Sequence, residues 1–102
     1  MKRSEYEALE RFMQSCMEDC AHDREHVRRV LSAGLEIARH ERPVDPEILI
    51  AACLLHDIGR KEELENPTLR HNEVGGEKAC RFLLERGWKP SRAEWVRDCI
   101  IT

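Results

Sequence analysis

From Ile48 to Leu55 the chain places apolar residues in one unbroken run, so the helix it suggests is buried on every side. Elsewhere apolar positions recur at helical spacing, and capping residues mark where helices begin and end. Ser4 with Glu7 fits a capping box that opens a helix running to about Cys20. Asp23 can cap a second helix, which ends near Arg42 and is stopped by Pro43. Asp45-Pro46 reads as an N-cap followed by proline at the first helical position, opening the helix that holds the apolar run and stops at Gly59. A fourth helix spans about His71 to Arg86 and is closed by Gly87, and Ser91 with Glu94 fits a capping box for a fifth. Strand-like alternation is absent. The expected fold is all-α, about five helices, with a hydrophobic central helix wrapped by amphipathic ones. The apolar pattern is still running at Ile100-Ile101-Thr102, which suggests that residues 1–102 are the N-terminal part of a longer domain.

Composition narrows the class. A chain of 102 residues suffices for a single small domain. Its net charge of −3 implies no general attraction to nucleic acid or to an anionic membrane. The longest apolar run is far too short to span a bilayer. Met1 to Glu5 has a basic start with no apolar stretch behind it, so it is not a secretory signal. The cysteines (Cys16, Cys20, Cys53, Cys80 and Cys99) are odd in number and scattered, as in a cytoplasmic protein with reduced thiols. Oligomeric state is not legible.

The candidate chemistry begins at His56-Asp57, directly after the apolar run. A buried carboxylate needs a counter-charge, and a metal ion is one that also engages a neighbouring imidazole. Consecutive helical residues diverge by about 100°, so both can reach one ion only near the helix end, where the backbone turns away at Gly59. On a helical wheel, His26, Val30, Ala33 and Ile37 fall on one line, with Val27, Leu31, Gly34, Leu35 and Ala38 extending the apolar arc. Arg28, Arg29, Ser32, Glu36 and Arg39 fill the opposite arc, so His26 sits where core meets polar face, as a ligand lining a cleft should. His71 lines up with Gly75 and Phe82 on a face rich in small residues, and can point to the same cleft or stand on the surface. A second dipeptide, His22-Asp23, follows no apolar helix, and Asp23 already serves as an N-cap. A structural zinc site on Cys16, Cys20, His22 and His26 competes with this reading, although the Cys20–His22 spacing is tight for tetrahedral closure.

Together these segments resemble the HD-domain superfamily of metal-dependent phosphohydrolases, in particular its small stand-alone bacterial members. The matching stretches are Asp23-x-x-His26-x-x-Arg29-Val30-x-x-Ala33, Ala51 to Arg60, His71-x-x-x-Gly75-Gly76-x-x-Ala79 and Val96-x-x-x-Ile100. The resemblance implies that His26, His56 and Asp57 bind one divalent metal, with His71 an extra ligand in two-metal members. The family's fourth ligand is an aspartate on a later helix, and Asp98 does not stand in its frame. The ligand types suit Mn, Fe, Zn, Ni or Mg.

The implied activity is hydrolysis of a small phosphate ester, such as a nucleotide. Asp57 would be catalytic, orienting the attacking water as well as binding the ion, and Arg29, Arg60 and Lys61 would grip the phosphate, with Arg70 a further candidate. Nucleotidase-type members carry a glutamate three residues after the aspartate; here that position is Arg60, which speaks against a 5′-deoxynucleotidase. The cyclic-dinucleotide esterase branch needs a later Gly-Tyr-Pro segment, whose absence from residues 1–102 carries no information if they are part of a longer domain. Two alternatives are a catalytically incomplete binding or regulatory module on the same scaffold and an interaction module held by structural zinc.

Overall fold

The structure, a computed structural model, describes residues 1–18, 24–39 and 45–102. These residues form six helices: α1 (Arg3–Cys16), α2 (Arg24–Ala38), α3 (Pro46–Leu55), α4 (Arg60–Glu65), α5 (His71–Glu85) and α6 (Pro90–Ile101). The all-α class is as expected. The additional element is α4, a helix of 6 residues whose charged sequence Arg-Lys-Glu-Glu-Leu-Glu carries no apolar stripe to announce it.

The apolar run becomes the centre of the domain. Helix α3 packs against α1, α2, α5 and α6, and Ile48, Ala51, Leu54 and Leu55 are all buried. They join Leu9 and Met13 of α1, Val27 and Leu31 of α2, Ala79 and Leu83 of α5, and Ala93, Val96 and Ile100 of α6 in one core. Leu49, Ile50, Ala52 and Cys53 are half-buried, so the run is fully covered on one face and partly covered on the rest, which is why it carries no charged residue.

Asp45 starts α3 in the expected way. Its Oδ1 accepts from the backbone N–H of Glu47 (3.0 Å) and Ile48 (3.3 Å), and Pro46 takes the first helical position. The same carboxylate also receives Arg92 of α6, from Nη1 to Oδ2 at 2.8 Å and from Nη2 to Oδ1 at 3.3 Å. Hydrogen bonding from Arg92, with the cap N–H groups adding to it, holds the Asp45 carboxyl below its ordinary range against the opposing effect of burial. Asp45→Ala is therefore expected to cost about 1–2 kcal/mol in urea unfolding at neutral pH, from cap and partly exposed ion pair together. A folded pKa below the unfolded one means that this stabilisation is complete above about pH 4 and is lost as pH falls through the folded value. The gap between wild type and Asp45→Ala should close in acid; a gap that stays constant down to pH 2 refutes the assignment.

The other predicted caps differ. Helix α1 begins at Arg3 with Lys2 as N-cap and no side-chain cap bond. Glu7 instead accepts from Nε of Arg3 at 3.1 Å, so Ser4 and Glu7 form no capping box. Helix α1 also ends at Cys16, short of Cys20, with Met17 as C-cap. Helix α6 starts at Pro90 behind Lys89, again without a side-chain cap. Proline's fixed φ and missing N–H suit the first helical position, and this draws Ser91 inside the first turn. The predicted cap at Asp23 and the stop at Arg42-Pro43 lie outside the described residues.

Helix α5 ends as expected. Gly87 has φ +90°, the Gly87 N–H bonds to Leu84 O and the Trp88 N–H to Leu83 O, both at 3.0 Å. This is a Schellman closure, in which the left-handed residue must be glycine at little cost. It turns the chain into the antiparallel α5–α6 hairpin, where Gly76 faces Ile101 and the carbonyl of Arg97. Glu5 of α1 clamps the turn, taking Nε and Nη2 of Arg86 and Nε1 of Trp88.

The wheel reading of α2 needs one correction. The buried side is Val27 and Leu31, with Gly34 set against Cys53 and Leu49 of α3. Ile37 is 60% exposed and Ala33 is exposed too. The apolar arc is wider than the strip α3 can cover, so the line through His26 runs along its margin.

Candidate metal centre

Helix α3 ends at Leu55, and residues 56–59 make a turn before α4. His56 is the helical C-cap, and Asp57 and Ile58 follow inside the turn. The change of direction brings two consecutive side chains to one point, as a common ligand requires. Asp57 is the single buried charged residue among the described positions, with 1% exposure.

Three ligand atoms converge. His56 Nε2 lies 3.2 Å and His26 Nε2 3.5 Å from Asp57 Oδ2, and the two imidazole centroids are 5.9 Å apart. The donor atoms of His26, His56 and Asp57 all fall within 4.8 Å of one another. Asp57 Oδ2 is buried and faces the two imidazoles, whereas Oδ1 accepts from Nε of Arg60 at 3.2 Å.

The tautomer of His56 is set by its neighbour. Nδ1 lies 2.7 Å from the carbonyl of Cys53, so Nδ1–H donates there and Nε2 carries the lone pair. A lone pair and a carboxylate oxygen at 3.2 Å repel unless a cation or a proton stands between them. Burial works against charging His56, but hydrogen bonds to Asp57 and to the Cys53 carbonyl outweigh it and raise its affinity for a proton. The same geometry is what a divalent ion uses: two imidazole nitrogens, one carboxylate oxygen and a fixed outer sphere.

The turn is held by contacts with little slack. A Cβ on Gly59 would stand 2.1 Å from the carbonyl oxygen of His71 and 2.6 Å from the amide nitrogen of Gly75, and one on Gly75 would be 3.2 Å from Gly59 N. The small-residue face of α5 thus lets the His-Asp turn lie directly on its backbone. Lys78 of α5 donates to the carbonyl of Ile58 at 3.1 Å and to Glu62 Oε1 at 2.7 Å, stitching turn, α4 and α5 together.

None of the other predicted site residues among those described joins the three converging ligand atoms. The His71 ring is at the start of α5, with Nδ1 3.1 Å from Glu63 Oε2, and does not join the group of three. Arg60 is engaged on Asp57. Arg29 of α2, Lys61 of α4 and Arg70 are exposed. Asp98 is exposed and pairs with Arg97 at 3.0 Å. Of the rival zinc set, Cys20 and His22 lie outside the described residues, as does Asp23. Cys16 packs against the core as a small apolar residue, and His26 faces Asp57. Cys16, Cys53, Cys80 and Cys99 are free thiols.

Two contributors escaped the sequence reading. Lys78 lies on the same helical line as His71, Gly75 and Phe82, so a lysine on a face of small residues was the signal for it. Glu63 had no local signal, because its partner lies eight positions away.

Comparison with known proteins agrees with this geometry. A family model described as the HD domain matches residues 24–100, which run from the start of α2 almost to the end of α6 and include His26, His56 and Asp57. No curated protein and no solved structure matches the chain. No helix among the described residues is long and apolar enough to cross a membrane. With three-quarters of its length covered by the family model and the His-Asp turn at its centre, the chain belongs to the HD-domain family.

Proposed function

We propose that this protein is a metal-dependent phosphohydrolase acting on a small phosphate ester, with a nucleotide among the candidate substrates. The observation that carries the reading is the convergence of His26 Nε2, His56 Nε2 and Asp57 Oδ2 on one point beside a buried carboxylate. Two imidazoles and a carboxylate form the mixed donor set common in catalytic metal sites, where water or substrate completes the coordination. A divalent ion held there supplies an acidified water and offsets charge on a phosphoryl oxygen.

The chain's own groups prepare that chemistry. Cys53 O fixes the His56 tautomer, and Arg60 holds Oδ1 of Asp57 so that Oδ2 stays turned toward the imidazoles. Arg29 and Lys61, both exposed, are the candidates for gripping the phosphate, with Arg60 positioning Asp57. A phosphate ester also fits the modest net charge, since local cations rather than a general field would recognise it.

The test is phosphate release by the purified chain from a panel of phosphomonoesters and nucleotides with Mn, Ni, Zn or Mg. Turnover that appears with one of these ions and vanishes with EDTA is the expected result. An ion bound at the centre with no turnover of any panel member would instead favour a binding or regulatory module.

A further inference from the structure

One carboxylate oxygen beside the centre does two things at once. Oε2 of Glu63, on α4, accepts from the backbone N–H of His71 at 2.8 Å and lies 3.1 Å from that residue's Nδ1. The backbone bond satisfies a helix N-terminal donor that Arg70, the N-cap, leaves without a side-chain acceptor. Nothing in that capping role requires the ring to join. The ring contact therefore carries separate information: an anionic oxygen facing Nδ1 takes the imidazole's proton-bearing nitrogen and leaves Nε2 with its lone pair.

The location gives this consequence. The carbonyl of His71 sits against Gly59, in the turn that carries His56 and Asp57, and Gly75, one helical turn on, sits against Gly59 and the carbonyl of His56. The backbone of His71 is thus held against the turn that carries His56 and Asp57, and its part-exposed side chain stands outside the three-ligand group.

We propose that Glu63 is a positioning residue acting through His71, holding the imidazole as the Nδ1–H tautomer so that Nε2 serves as a hydrogen-bond acceptor at the edge of the centre. Such an acceptor suits an O–H donor, the reacting water or a hydroxyl of the substrate, and not a fully ionised phosphate, which has no proton to give. The bonds from His71, backbone first and ring second, also keep the Glu63 carboxyl below its ordinary range, so it is anionic at neutral pH. The catalytic part of the proposal rests on the phosphohydrolase reading; the tautomer does not.

The experiment records imidazole nitrogen resonances of His71 in the ¹⁵N-labelled full chain at about pH 8.5, above the ordinary imidazole pKa of about 6.5. Wild type should show a protonated Nδ1 and a bare Nε2. Glu63→Gln, whose side-chain carbonyl can still accept both bonds, should keep that pattern. Glu63→Ala, checked for native helicity, should revert to the Nε2–H form that free histidine favours. A proton on Nε2 in wild type, or an unchanged tautomer in Glu63→Ala, overturns the proposal. Where turnover is found, Glu63→Ala and His71→Ala should each lower kcat/KM by about tenfold, with no further loss in the double variant and with Mn affinity at the centre unchanged. Additive losses, or a wild-type rate in Glu63→Ala, overturn the catalytic part. A wild-type chain without turnover would count against the phosphohydrolase reading while the tautomer result still stands or falls by itself.

Discussion

Asp57→Asn is expected to lower divalent-metal affinity on the order of 100-fold or more, beyond the effect usual for outer-sphere residues, and to abolish any phosphatase activity. The carboxylate is the single anionic donor in the group of three, and its Oδ2 is the atom both imidazoles approach. The apo fold should survive. Asparagine keeps the shape and an oxygen for Arg60, and it removes a buried charge whose desolvation the domain otherwise bears. The apo variant should therefore unfold in urea within about 1 kcal/mol of wild type, or later. Titration calorimetry with Mn, beside urea curves recorded in EDTA, separates the two effects. Undiminished Mn affinity in the variant would rule out the centre assigned to His26, His56 and Asp57.

Gly59→Ala should be the most damaging single methyl in the chain. The added Cβ would meet backbone, at 2.1 Å from His71 O and 2.6 Å from Gly75 N, and backbone cannot swing aside as a side chain can. The His-Asp turn would have to lift off α5, at a cost of about 3 kcal/mol or more. It would also pull on the Lys78 bond to Ile58 O and move Asp57 away from His26. Gly76→Ala meets Ile101 Cγ1 at 2.7 Å, a side-chain atom that can shift, and the Arg97 carbonyl oxygen at 3.1 Å, while Gly75→Ala meets its nearest atom at 3.2 Å. The expected order of destabilisation is Gly59, then Gly76, then Gly75, read from urea midpoints. A Gly59→Ala protein as stable as wild type would show that the turn does not rest on α5 in this way. Backbone freedom is not the issue at Gly59, whose φ of −92° any residue can adopt.

Much of this arrangement was readable without coordinates. Ile48 to Leu55 announced a buried helix because continuous apolarity has one stable solution in a small domain, a helix surrounded by others. Asp45-Pro46 and Gly87 announced the ends of helices because their constraints are local: a side-chain acceptor, a fixed φ, a left-handed turn. Ser4 and Ser91 misled because a capping box is a permissive signal. At Ser91 the neighbouring proline set the helix start, and at Ser4 the pairing of Arg3 with Glu7 offered Glu7 another partner. Helix α4 was illegible, since a short charged helix buries nothing and is held from outside by Lys78 on Glu62 and His71 on Glu63.

The site divides along the same line. Sequence by itself determined the family, the His-Asp pair at the end of a buried run and the histidine on the margin of α2, because residue type and helical phase are properties of the chain alone. Tertiary structure decided which atoms meet: that Asp57 divides its oxygens between Arg60 and two imidazoles, that Cys53 sets the tautomer of His56, and that His71 turns to Glu63 rather than into the group of three. Those choices depend on distances of a few tenths of an ångström between helices remote in sequence. Such distances come from how closely Gly59 and Gly75 allow two backbones to approach, and no periodicity along the chain encodes that.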